Sequence, residues 1–140
     1  MRIDKENYYL NIAEVVASRS TCLRRKYGAV IVNNDEIIAT GYNGAPRGEP
    51  NCCDVGACYC RSHENPIGPE AAKHGAQYGS CVAVHAEQNA IISASRKDMR
   101  GAVLYLACLS PDIDPTPCNI CDRMIKNAGI AKVITRAGSF

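Results

Sequence analysis

The chain lacks any run of ~18 apolar residues, the length a membrane-spanning helix needs, so no membrane segment is expected. It also lacks the apolar core of a signal peptide: Met1-Arg2-Ile3-Asp4-Lys5-Glu6-Asn7 is charged and runs into an amphipathic pattern. A soluble, cytoplasmic protein is the expectation. Net charge is scarce, with 16 Lys and Arg against 14 Asp and Glu for a formal +2. That excess is too small for a groove that tracks a nucleic acid, and the basic residues are scattered except at Arg24-Arg25-Lys26. Such a cluster suits a small anionic ligand; neither a nucleic acid nor a membrane is expected as a partner. Internal repeats and low-complexity tracts are missing too, which leaves residues 1–140 as one globular domain of ordinary size.

Cysteine, by contrast, is plentiful, with nine in the chain. In a small secreted protein that density would suggest a disulfide scaffold, but without a leader it points to thiolates held by metal. Nine is also odd, so complete pairing within one chain is impossible.

Tyr8, Ile12, Val15, Val16 and Arg19 recur at helical spacing and predict a helix over residues 4–20. Ala29–Val32 and Glu36–Thr40 are β-branched runs parted by Asn33-Asn34-Asp35, the pattern of an antiparallel hairpin. Residues 41–80 are rich in Gly, Pro and Cys, without sustained periodicity. A stretch that long needs something to order it, and metal is the candidate. The pattern then predicts a helix over 85–97, a strand over 102–108, a helix over 118–128 stopped by Gly129, and a last strand over 131–135. The final strand–helix–strand unit predicts a parallel crossover, with helices packed on a mixed sheet.

Two segments carry chemistry. His85-Ala86-Glu87 and Pro117-Cys118-Asn119-Ile120-Cys121 supply three zinc ligands and one carboxylate that is not a ligand. Catalytic zinc commonly takes three protein ligands and leaves a fourth position open, and His85, Cys118 and Cys121 have suitable softness. Cys118 and Cys121 share one face at the start of a predicted helix, where the positive dipole end favours thiolates. His85 opens its own helix, so the two N-termini can converge on the metal. Zinc lowers the pKa of water toward ~7, making a nucleophile for an amine-bearing ring carbon. Glu87 is placed to take the water's proton and hand it to the ring nitrogen and the departing amine. A lone C-x-x-C also occurs as a structural half-site or a redox pair, but neither needs His85 and Glu87.

The H-x-E…P-C-x-x-C pairing resembles the signature of zinc-dependent nucleobase deaminases. With Gly41-Tyr42-Asn43-Gly44-Ala45-Pro46-Arg47-Gly48, Ser20–Val30, His85–Ile91 and Asn127–Ile130, the chain from Ser18 to Ile134 resembles the deoxycytidylate (dCMP) deaminases of the cytidine deaminase superfamily. The zinc motif points to the superfamily and the GYNGAPRG segment to the substrate. The resemblance implies a cytidine-deaminase-like three-layer α/β/α sandwich and hydrolysis of dCMP to dUMP and ammonia, the product feeding thymidylate synthesis. It implies zinc on His85, Cys118 and Cys121, proton transfer by Glu87, a nucleoside contact from Asn43 and a pyrimidine contact from the Ala86 backbone. Arg24, Arg25 and Lys26 are candidates for the 5′-phosphate, since a guanidinium grips phosphate with paired hydrogen bonds; the plain alternative is a solvated surface triplet. Assembly as a homohexamer is expected on the same grounds, as are dCTP activation and dTTP inhibition through a loop that includes Gly44, Ala45 and Arg47. Read from its residues alone, that loop is a tight path after a strand in which Asn43 offers both a donor and an acceptor.

A second zinc is a further expectation. Cys22, Cys52 and Cys81 resemble ligands of an additional site in some family members, and Cys60, before Arg61, resembles the fourth. Four thiolates would close a structural site and order an irregular Cys-rich insertion over residues 44–80. Cys53, Cys58, His63 and His74 are alternative ligands, and buried thiols with no metal are the alternative reading. Cys108 reads as core. The chain departs from the family in Asp112-Ile113-Asp114-Pro115-Thr116, which intervenes before Pro117-Cys118 and bears on the loop near the base, and in ending at Phe140, so that residues closing the pocket are expected either to be missing or to come from a neighbouring subunit. Two rivals share parts of the pattern: a polynucleotide deaminase acting on tRNA, against which the small basic excess argues, and a non-catalytic nucleotide-binding or DNA-uptake accessory protein, against which the intact Glu87 argues.

Overall fold

The structure is a computed structural model that describes residues 1–56 and 81–140. Its elements run α1 (Lys5–Ala17), β1 (Tyr27–Asn33), β2 (Glu36–Tyr42), α2 (Cys52–Val55), α3 (Ala86–Ile92), α4 (Arg96–Met99), β3 (Val103–Cys108), α5 (Asn119–Ala128), β4 (Lys132–Thr135) and β5 (Gly138–Ser139). The strands form one sheet in the order β2-β1-β3-β4-β5. β3 and β4 are parallel across α5, and the other three pairings are antiparallel, so the sheet is mixed as expected. Among the described residues no helix is long and apolar enough to cross a membrane.

Strand β1 shows why two helical layers are needed. Its side chains alternate, Ala29 and Ile31 entering one apolar cluster and Val30 and Val32 another. α1 covers the second face through Tyr9, Leu10 and Ala13, which meet Tyr105, Ala107 and Ile134. α3, α4 and α5 cover the first through Ala86, Ala90, Met99, Ile125 and Ala128, which meet Leu104, Leu106 and Val133. The result is the three-layer α/β/α sandwich.

Two glycines set how closely the layers approach. A Cβ on Gly28 would lie 2.1 Å from the Ala13 carbonyl of α1, and one on Gly41 would lie 2.3 Å from the Ala90 nitrogen and 2.4 Å from the Ala86 carbonyl of α3. Each helix therefore rests its backbone on a strand position with no side chain, one on each face of the sheet.

The hairpin turns through Asn34 and Asp35, both at positive φ, the conformation a two-residue turn between twisted strands requires. Asp35 is then tied to α1 by the Tyr9 hydroxyl and by Lys5. Gly129 ends α5 in the left-handed region, with the Ile130 N–H reaching back to the Ile125 carbonyl, as the sequence predicts.

Some boundaries differ from the sequence expectation. α1 ends at Ala17 because the Ser18 hydroxyl donates to the Val15 carbonyl and takes the chain out of the helix. The helix expected over 85–97 is two: Ser93 stands at the C-cap of the first and Ser95 at the N-cap of the second, where its hydroxyl donates to the Asp98 carboxylate at 2.7 Å. β2 runs on through Tyr42, and β5 is a two-residue strand too short to show a period. Within the expected insertion over 44–80, Gly44 bridges to Val84 and Cys52–Val55 form the short helix α2; the rest, from residue 57, lies outside the described residues.

Candidate metal centre and active site

His85 stands at the N-cap of α3, where its backbone N–H donates to the Gln88 side-chain oxygen at 2.9 Å. The turn is fixed from outside as well. Val84 and Gly44 exchange two backbone hydrogen bonds, at 2.7 and 3.2 Å, and the Asn89 amide donates to the Tyr42 carbonyl at 2.8 Å. The end of β2 and the start of α3 are thus stitched together on both sides of Asn43. Cys118 caps α5 through its side chain instead, the sulfur accepting the Cys121 N–H at 3.4 Å.

These two helix starts bring three soft donors together. His85 Nδ1 lies 3.5 Å from Cys118 Sγ and 3.3 Å from Cys121 Sγ. The three ligand atoms all fall within 4.8 Å of one another, and no other group of three metal-ligating side chains converges in this way among the described residues. One imidazole and two thiols at this separation fit a zinc ion that keeps a fourth position open.

Glu87, two residues beyond His85, is 5 % exposed. Burial pushes its carboxyl above the usual range, against the opposing pull of its own backbone N–H, His85 and the Cys121 thiol. Cys121 is fully buried, and burial together with the Glu87 and Cys118 neighbours pushes its thiol up. Without a cation, neither negative charge is well accommodated here. A divalent cation reverses that balance by pairing with the thiolates, so the donor chemistry and the burial fit the same group.

Ala86 is fully buried in the core cluster, between the metal donors and β2. Asn43 is 8 % exposed and holds its neighbourhood together: its Oδ1 accepts from the Ser20 hydroxyl at 2.6 Å and the Tyr27 N–H at 2.9 Å, and its Nδ2 donates to the Arg25 carbonyl at 2.8 Å. Arg24, Arg25 and Lys26, all half-buried, form the segment just before β1. Their carbonyls accept from Ser110, Asn43 and Leu109 respectively, which joins this segment to the loop leading toward Cys118. Gly44 is buried, Ala45 half-buried and Arg47 exposed.

Cys22, Cys52 and Cys81 do not form a second group of three, and Cys60 lies outside the described residues, as do Cys58, His63 and His74. The Cys53 N–H donates to the Thr21 carbonyl at 3.2 Å, so α2 and the Cys22 loop are in contact.

Residues 3–137 match the family described as the cytidine and deoxycytidylate deaminase zinc-binding region. The chain belongs to that family. Within it, the chain is 37 % identical over 133 residues to the deoxycytidylate deaminase of Mycobacterium phage D29, covering 95 % of this chain and 94 % of that protein. It is 35 % identical over 130 residues to the deoxycytidylate deaminase of Schizosaccharomyces pombe, covering 92 % of this chain but only 36 % of the longer yeast protein. In structure it is similar to the dCMP deaminase of cyanophage S-TIM5 in complex with dCMP and dUMP, with a TM-score of 0.64 at 29 % identity, 96 % of this chain and 82 % of that one.

Sequence reading missed three supports of the deaminase site: Ser20, Gln88 and Asn89. Gln88 had a signal, since a Gln three residues after a helix-capping position is a capping-box pattern. Ser20 and Asn89 act across more than 20 residues of sequence and leave no local trace.

Proposed function

We infer that this protein is a zinc-dependent deaminase that hydrolyses dCMP to dUMP and ammonia. The observation that carries the reading is the convergence of His85, Cys118 and Cys121 beside a buried carboxylate, Glu87. The family match and the nucleotide bound by the S-TIM5 enzyme support the substrate class.

His85 Nδ1 and the Cys118 and Cys121 sulfurs would hold the zinc. Bound there, zinc supplies a Lewis acid that makes water nucleophilic near neutral pH. The water oxygen adds to the amine-bearing ring carbon, the carbon–nitrogen bond breaks, and ammonia leaves. Glu87 would relay two protons in turn, the first from the water to the ring nitrogen and the second from the hydroxyl formed on the ring carbon to the departing amine, so its carboxylate is restored. Burial suits that task, because it raises the carboxyl and so makes it a stronger proton acceptor than an exposed glutamate. The Ala86 backbone meets the pyrimidine, Asn43 the nucleoside, and Arg24, Arg25 and Lys26 the 5′-phosphate.

The same reading treats residues 1–140 as one deaminase domain with a second, structural zinc on Cys22, Cys52, Cys60 and Cys81. The contact between α2 and the Cys22 loop supports it. Homohexameric assembly, and dCTP and dTTP as effectors acting through Gly44, Ala45 and Arg47, follow from the family resemblance, and a cytoplasmic location from the charged N-terminal segment. The test is ultraviolet-monitored turnover of dCMP beside CMP, deoxycytidine and a tRNA, with and without dCTP. Preferential turnover of dCMP is expected; turnover of the tRNA alone, or of nothing, would overturn the reading.

A further inference from the structure

Asn43 immediately precedes Gly44 of the Gly44–Val84 bridge, and it is buried. Both lone pairs of its Oδ1 are used, by the Ser20 hydroxyl and the Tyr27 N–H, and one Nδ2 hydrogen is used by the Arg25 carbonyl. The amide cannot flip without setting Nδ2 against a backbone N–H and Oδ1 against a carbonyl. Among the described residues its second Nδ2 hydrogen has no acceptor. A buried donor left without an acceptor is costly, so a ligand oxygen is its natural partner.

We propose that Ser20 is a positioning residue that holds the Asn43 amide as a donor to an oxygen on the sugar–phosphate part of the nucleotide. This rests on the deaminase reading and adds a specificity device to it. Ser20 is 7 % exposed, and its hydroxyl lies 2.6 Å from Asn43 Oδ1 and 2.9 Å from the Asn43 carbonyl, while accepting the Cys22 N–H at 3.2 Å. It therefore pins the side chain of Asn43 against its own backbone. Tyr27 and Arg25 contribute main-chain groups, so Ser20 is the member of the network that a side-chain change removes. Donation into Oδ1 also polarises the amide and strengthens the remaining N–H as a donor.

The test compares kcat/KM for dCMP, its 3′-deoxy analogue and deoxycytidine, on wild type, Ser20→Ala and Ser20→Thr. Ratios between substrates on one sample do not depend on how much of it is folded. In wild type dCMP should exceed the analogue lacking the recognised oxygen by about tenfold, and Ser20→Ala should collapse that ratio toward one through KM, with kcat nearly kept. Ser20→Thr, which keeps the hydroxyl, should restore it. Collapse against the 3′-deoxy analogue assigns the oxygen to the sugar, and collapse against deoxycytidine assigns it to the phosphate. Should Ser20→Ala not accumulate, Ser20→Cys, a weaker donor, should give an intermediate ratio. Wild-type ratios unchanged in Ser20→Ala or in Ser20→Cys, or an equal loss on all three substrates, would overturn the role of Ser20 alone. A wild type inactive on dCMP would overturn the deaminase reading and this inference with it.

Discussion

At the scale of single residues, the burden of the chemistry falls on Glu87. It lies against the metal donors without being one of them, so Glu87→Gln should bind zinc as the wild type does and lose about 10²–10⁴-fold in turnover, measured as kcat with metal content on one sample. This assignment is legible in the sequence, because a carboxylate two residues after a zinc-binding histidine is a local pattern. The work of Asn43 is not, since its partners Ser20 and Tyr27 are 23 and 16 residues away. Tyr9 is another case. Its hydroxyl donates to Asp35, which, with burial, pushes the phenol from its ordinary 10 up to about 12. A raised phenol contributes stability below pH 10 that is lost as pH rises through about 12, because only the protonated form can donate. Tyr9→Phe should lower the melting temperature by a few degrees at pH 7 and remove that part of the alkaline loss, seen by circular dichroism melts at several pH values.

At the scale of elements, the two glycine seats separate stability from function. Gly28→Ala forces a methyl into the backbone of α1, and Gly41→Ala forces one into the backbone of α3, each costing about 1–3 kcal/mol by overpacking. Only α3 carries His85 and Glu87. Denaturant unfolding should therefore show similar losses for both variants, while Gly41→Ala alone loses zinc affinity and turnover. Periodicity made α1, the hairpin, β3, α5 and β4 legible. It merged α3 with α4, because the break between Ser93 and Ser95, with the Ser95 hydroxyl bonded to Asp98, is not registered by an apolar count. β5 depends on Phe140 and Val133 exchanging backbone bonds, which no side-chain pattern encodes.

At the scale of the whole molecule, the fold is a device for bringing two helix N-termini to one point. β1 and β3 carry apolar side chains on both faces, which calls for a helical layer on each side, and the β3–α5–β4 crossover returns Cys118 and Cys121 to the level of His85. A metal held there would join segments more than 30 residues apart. The proposed second zinc is tested by Cys22→Ser: on that proposal zinc falls from near two to near one per chain while dCMP turnover is kept, and unchanged zinc content would contradict it, as read by elemental analysis with a dCMP assay.

The most direct test of the account is dCMP turnover by zinc-depleted protein as zinc is added back, in wild type and in Cys121→Ser. The account predicts that turnover is absent without metal, returns with zinc in the wild type, and does not return in the variant. Full turnover in the metal-free wild type, or in Cys121→Ser at any zinc level, would contradict it.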